Sequence, residues 1–289
     1  MSAFVAALFD PALPFVRNAL LAGLLSSVLF GVLGSVVTVK RMAGLAGAIS
    51  HAVLGGIGLA LFLASRGILP GLPPVVGALV FAVLSAALIG FVSLRAKQRE
   101  DSAINAIWAI GMSLGILFMA RTPGYADPMS YLFGNILLVT TRDLALLGVL
   151  DLIVVLLAIR YYRQVEAVAF DEEFARARGV PTEGVFLALL ALTAVAVVLL
   201  QTFVGIVMVI AMLTLPAATA GYVAKSLAGM MVGATIASVV VSTGGLAVAW
   251  AADLPAGAVV VTLAGAVFMA GAALRGLAGR KGRSKRGAA

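Results

Sequence analysis

The sequence predicts an all-α polytopic membrane protein of about nine transmembrane helices, eight being the smaller count, with one short amphipathic helix outside the bilayer. Three observations lead there. Of 289 residues, 63% are apolar and 11% charged, and mean hydropathy is +1.16, more apolar surface than a soluble domain can bury. The charges sit in short clusters separated by apolar runs of about twenty residues, the length that crosses a bilayer. One such stretch, Gly184 to Val223, would measure about 60 Å as a single helix, twice the hydrocarbon thickness, so it must fold back.

In chain order, the first run is Asn18 to Val39, behind a short N-terminus that holds Asp10 and Arg17 and lacks a basic n-region and a cleavage site, so a retained helix is expected. Met42 to Ser65, Leu72 to Leu94 and Ala103 to Ala120 follow. Met129 to Thr141 is too short and polar to cross and reads as a re-entrant or interfacial helix. Leu144 to Ile159 is a short span, and Gln201-Thr202 is the expected turn between Gly184 to Leu200 and Phe203 to Val223. Leu227 to Ala252 and Ala256 to Leu274 complete the set. Residues 1–275 thus form one transmembrane domain, and 276–289 a basic cytoplasmic tail.

Nine alternating spans sort the twenty Lys and Arg residues sixteen to four between the two faces. Positive charge stays on the cytoplasmic side, so the N-terminus is expected outside and the C-terminus inside, in a bacterial inner or plasma membrane. The net charge of +8 and the run from Arg275 to Arg286 read as an anchor at anionic lipid, not as a nucleic-acid site. Cysteine is absent and His51 is the single histidine, which removes thiol chemistry and any multi-histidine zinc site from one chain. No G-x-x-x-x-G-K-[ST] loop, nucleophile elbow or H-E-x-x-H occurs, so the chain cannot hydrolyse ATP alone and transport is the remaining class.

The longest segment outside the apolar runs is RYYRQVEAVAFDEEFARARGVPTEG. Within it Phe170 to Gly179 reads as one helix. Asp171, Glu172 and Glu173 lie at its N-terminal end and Arg176 and Arg178 at its C-terminal end, matching the helix dipole, and Gly179 and Pro181 stop it. Phe170, Phe174, Ala177 and Val180 make an apolar face, suited to docking in a groove of a cytosolic partner or else simply solvated.

Four stretches in order resemble the permease subunit of zinc/manganese-type ABC importers across most of the chain: KRMAGLAGAISHAVLGGIGLA, SYLFGNILLVTTRDL, FDEEFARARGV and VGIVMVIAMLTLPAATA. The resemblance implies a permease homodimer, cytosolic ATP-binding cassette subunits, an extracytoplasmic metal-binding protein, and inward passage of a divalent metal ion, zinc or manganese with iron as a third candidate. The ion is the transported substrate, with no cofactor permanently bound. It makes residues about 166–181 the helix that contacts the ATPase, with Phe170, Glu172, Glu173, Phe174, Arg176 and Gly179 as coupling residues. Two positions depart from the family pattern: Gly47 replaces an acidic residue four before the histidine, and Gly55 a proline four after it.

His51 follows Arg41 by ten residues, about 15 Å along a helix, and so lies near the midplane, where imidazole is either a metal ligand facing a path or bonded to a neighbouring helix. Asp151, nine residues from both Arg142 and Arg160, is the only carboxylate inside a run; it is a metal-site candidate or a helix-pairing residue. Ser50, Thr214 and Pro216 are pore-lining candidates, Pro216 because it frees a carbonyl in mid-span. Met208 and Met212 share a helical face and read as packing, and Gly111-x-x-x-Gly115 and Gly229-x-x-x-Gly233 as small-residue helix contacts. Two other classes fit the same residues. One is a stand-alone secondary transporter in which His51 and Asp151 relay protons; the other is an ABC permease for a larger metal chelate.

Overall fold

The computed structural model describes residues 2–95, 100–124, 128–134, 136 and 139–286, with side chains from 4 to 276 apart from residue 100. Lys97, Arg99 and the tail side chains beyond Gly276, counted above in the charge split, lie outside that description. The helices in order are α1 Ser2–Phe9, α2 Pro14–Val39, α3 Ala43–Ser65, α4 Pro74–Arg95, α5 Glu100–Ala120, α6 Pro128–Phe133, α7 Thr141–Arg160, α8 Tyr162–Phe170, α9 Glu172–Ala177, α10 Thr182–Val204, α11 Ile206–Gly221, α12 Leu227–Ala252 and α13 Ala256–Arg286. Each of the nine apolar runs is a helix.

Among the described residues, seven helices combine the length and hydropathy of a span: α2, α3, α4, α5, α10, α12 and α13. An eighth arises if α7 is joined to α8, which turns away from it by 74°. The expected nine therefore resolves to seven or eight full-length candidates plus α11, which has only 16 residues. At about 24 Å it is shorter than the hydrocarbon core. Both of its ends are nevertheless packed against other elements. Gly205, before its first turn, abuts Gly134, while Tyr222, after its last, stacks on Phe268 and accepts a hydrogen bond from Arg275 at 3.0 Å.

Two expectations are corrected. The break between the sixth and seventh runs is at Gly205 (φ 82°), not Gln201-Thr202, because only glycine takes that backbone conformation cheaply and approaches Gly134 so closely. The segment expected as one helix over Phe170 to Gly179 is two, since Asp171 is extended and caps α9 by accepting from the Phe174 N–H at 2.9 Å. The last apolar span ends at Gly276, two residues from the expected Leu274, and its helix continues to Arg286.

Local chemistry explains the other boundaries. Pro14, Pro74 and Pro128 open α2, α4 and α6, where a missing N–H costs nothing. Thr140 and Asp143 form a capping box at α7, and Ser226 caps α12. In lipid there is little hydrophobic drive between helices, so close packing of small residues must hold them together. The α2 backbone supplies it on two sides: Gly31 sits against the Thr235 backbone of α12, and Gly34 against the Leu213 carbonyl of α11. One core is centred on α2, α7, α10, α11 and α12, and a second on α3, α4 and α10. Met208 and Met212 are fully packed in the first.

Candidate functional site

His51 lies in the first half of α3, half-buried, with Nδ1 shielded from solvent and without a protein hydrogen-bond partner. Its ring is 5.1 Å from that of Trp108 on α5. The two helices are held at backbone contact beyond this point. A Cβ on Gly55 would stand 2.7 Å from the Gly111 carbonyl, and Gly58 abuts Gly115. The Gly111-x-x-x-Gly115 pair is thus a true helix contact, and Gly55 is dictated by it.

Toward Lys40 the surroundings of α3 change. Gly44 and Gly47 have no neighbouring atom within 4 Å of a Cβ position. With His51 they follow a spacing of three and four, and so form one face of the helix. The face is bare and ends in a polar cavity of about 500 Å³ lined by Lys40, Arg41, Gly44, Asp101, Glu172, Arg176 and Glu183, among others. An open helix face thus runs from the level of His51, whose Nδ1 is shielded from solvent, to a charged vestibule.

The vestibule also anchors α9. Lys40, largely buried, bonds Glu172 at 2.9 Å and the Val168 carbonyl at 3.2 Å, while the other Glu172 oxygen faces Arg176 at 3.4 Å. Arg176 further donates to Thr182 at 3.2 Å. Glu172 and Arg176, expected at an ATPase contact, are therefore engaged inside the chain. Phe170 and Phe174 are 63% and 54% exposed, Glu173 is exposed, and the Arg178 guanidinium covers the Phe174 ring at 5.2 Å. Gly179 (φ 83°) makes the turn after α9.

Asp151 is elsewhere. It lies on α7 beside Leu147, Leu150 and Val154, which pack in the α2-centred core, and neither carboxylate oxygen has a protein partner. Among the described residues no group of three or more His, Asp or Glu side chains that could hold a metal ion forms; the α7 neighbours of Asp151 pack in the α2-centred core, whereas the α3 residues around His51 pack in the second. Ser50 is fully buried with its hydroxyl unpaired. Thr214 instead bonds its own helix at the Ile210 carbonyl (3.0 Å), and Pro216 is buried within α11.

Sequence reasoning missed Trp108, Asp101 and Glu183. Lys40 was legible only as part of the K-R-M string; nothing in the spacing showed that it reaches across to α9. The Gly134–Gly205 contact seats the Ser-Tyr-Leu-Phe-Gly segment against the α10–α11 break, consistent with a short helix that does not cross, although residues 135, 137 and 138 of the expected Met129 to Thr141 segment lie outside the described ones.

Comparison with known proteins adds the following. The profile of the ABC 3 transport family matches residues 12–275. A Chlamydia trachomatis protein named "Probable metal transport system membrane protein" is 36% identical over 256 residues, 88% of this chain and 87% of its own. The manganese transport system membrane protein MntC of Halalkalibacterium halodurans is 34% identical over 256 residues, 88% and 85% of the two chains. Among solved structures, PsaBC from Streptococcus pneumoniae in complex with Fab superposes with a TM-score of 0.81 at 29% identity, covering 93% of this chain and 94% of that one.

Proposed function

The chain belongs to the ABC 3 transport family, as the multi-pass membrane component of an ABC transport system, and on that footing we propose that it passes a divalent metal ion, manganese or zinc, inward by alternating access. The observation that carries the reading is the bare α3 face. It runs from the half-buried, unpartnered His51 to the charged vestibule beside α9. One imidazole is too few for a closed site, but a two-fold dimer doubles every side chain near its axis, so two His51 rings can face one path. Sparse coordination suits a conduit, because an ion in a full ligand cage leaves slowly. Glycine at position 47 leaves room there for water, which completes the ion's shell. Asp151, on the α2–α7 side, is a further polar group of the membrane-embedded region, and in its ionised form it favours a cation there.

Energy enters through a separate cassette ATPase docked on the exposed Phe170 and Phe174, with Lys40–Glu172 transmitting its movement to the start of α3. An extracytoplasmic binding protein delivers the ion to the opposite face, and the sixteen-to-four split of Lys and Arg supports an N-terminus outside and a C-terminus in the cytoplasm. The test is reconstitution in proteoliposomes with the cassette subunit and binding protein. Uptake of radiolabelled manganese or zinc that requires ATP supports the reading, and ATP-independent uptake driven by a proton gradient would replace it with a secondary transporter.

A further inference from the structure

A second large cavity, about 570 Å³, opens between α7 and α10 and is almost wholly apolar. Val36 of α2, Ile153 and Leu157 of α7, Val165 of α8, and Leu189 and Leu192 of α10 line it. It is confined to one half of the bundle. Its α7 residues run from Leu150 to Ala158, about 12 Å of helix, close to the 15 Å of hydrocarbon in one leaflet. The half is the one that carries α8 and α9. At that end Tyr161 lines the cavity, the Arg160 guanidinium lies 5.2 Å over its ring, and Arg163, the second residue of α8, is exposed. The nearby carboxylate, Glu166, is taken up by the Tyr162 hydroxyl at 2.7 Å. A cavity as deep as one leaflet, greasy along its length and basic at its mouth, matches the two ends of one molecule.

We propose that this groove holds an acyl chain of an anionic phospholipid from the leaflet on the α8–α9 side, with Arg160 and Arg163 binding its phosphate. Neither arginine belongs to the transport path, and the groove is separate from the α3 face. The lipid wedges α7 away from α10 directly above the element that meets the ATPase.

The experiment is native mass spectrometry of the full chain, purified in detergent and titrated with phosphatidylglycerol or phosphatidylcholine of identical chains. A basic residue near an anionic surface is worth about fivefold, so two give a preference for phosphatidylglycerol of about thirtyfold. The paired substitution Arg160→Ala and Arg163→Ala should bring the two lipids level, and Ala188→Phe, at an exposed groove position, should remove retention of both. These sites are on the surface, so folding is not at stake, and monodisperse elution checks it. Equal retention of the two lipids by the unmodified chain, or unchanged retention by Ala188→Phe, would overturn the proposal. So would a disulfide-linked dimer formed on oxidising Ile153→Cys, since the chain has no native cysteine and such a link means that a second copy covers the groove.

Discussion

Truncating Phe174 to alanine separates a docking helix from a solvated one. Phe174 is 54% exposed in the isolated chain and lies on the outer side of α9, while Ala175 beside it is buried. With about 200 Å² for a phenylalanine, the exposed share leaves about 110 Å² for a partner to cover, about 2.7 kcal/mol at 25 cal/mol per Å². Alanine keeps a little of this, so the expected loss is about 2 kcal/mol, or about thirtyfold in affinity for the cassette subunit. Alanine is also the best helix former, and the Asp171 cap and the Lys40–Glu172 bond are untouched, so α9 itself should persist. The assay is equilibrium binding of the purified cassette subunit to the permease in nanodiscs, with transport-coupled ATP hydrolysis as a second readout. Affinity within twofold of the parent would refute the reasoning, because an interface residue with that much apolar area cannot be silent.

Gly134→Ala should sharply lower folded yield, since its backbone sits at φ 63° and its Cβ would strike the Val204–Gly205 backbone; normal yield and melting temperature would show that the α6 contact is not structural. Asp151→Asn keeps shape and should leave dimer assembly intact while cutting metal uptake severalfold, as radiolabelled uptake would show; full uptake would make Asp151 a helix-packing residue. Impermeant thiol reagent applied to intact cells should label a cysteine at Asp253 and spare one at Glu173, and the opposite pattern would reverse the orientation.

The existence of the long helices was legible because hydropathy and charge clustering act over twenty residues at a time, and local errors average out. Boundaries set by one backbone angle were not. Gly205 and Asp171 decide where helices break, yet neither stands out in an apolar or amphipathic run. The same divide runs through the site. His51 was conspicuous as a lone imidazole at mid-depth. That Gly44 and Gly47 open the face below it, or that Lys40 crosses to Glu172, depends on which helices pack together, and periodicity is silent on that. Gly55 reads in sequence as a missing proline; in the fold it is the residue that lets α3 touch α5. Asp151 stood out as a carboxylate inside an apolar run, but which helices it would face was not legible, and its neighbours Leu147, Leu150 and Val154 lie in the α2-centred core.

The central claim is that the ion passes His51 along the α3 face. Its most direct measurement is ATP-driven uptake of radiolabelled manganese and zinc by His51→Ala, reconstituted with cassette and binding protein, alongside cassette affinity measured on the same sample. The account predicts uptake of the transported ion reduced to background with cassette affinity unchanged, because the imidazole lies on α3 while the docking surface is on α8 and α9. Uptake of both ions at the parent rate would contradict it and reduce His51 to a packing partner of Trp108.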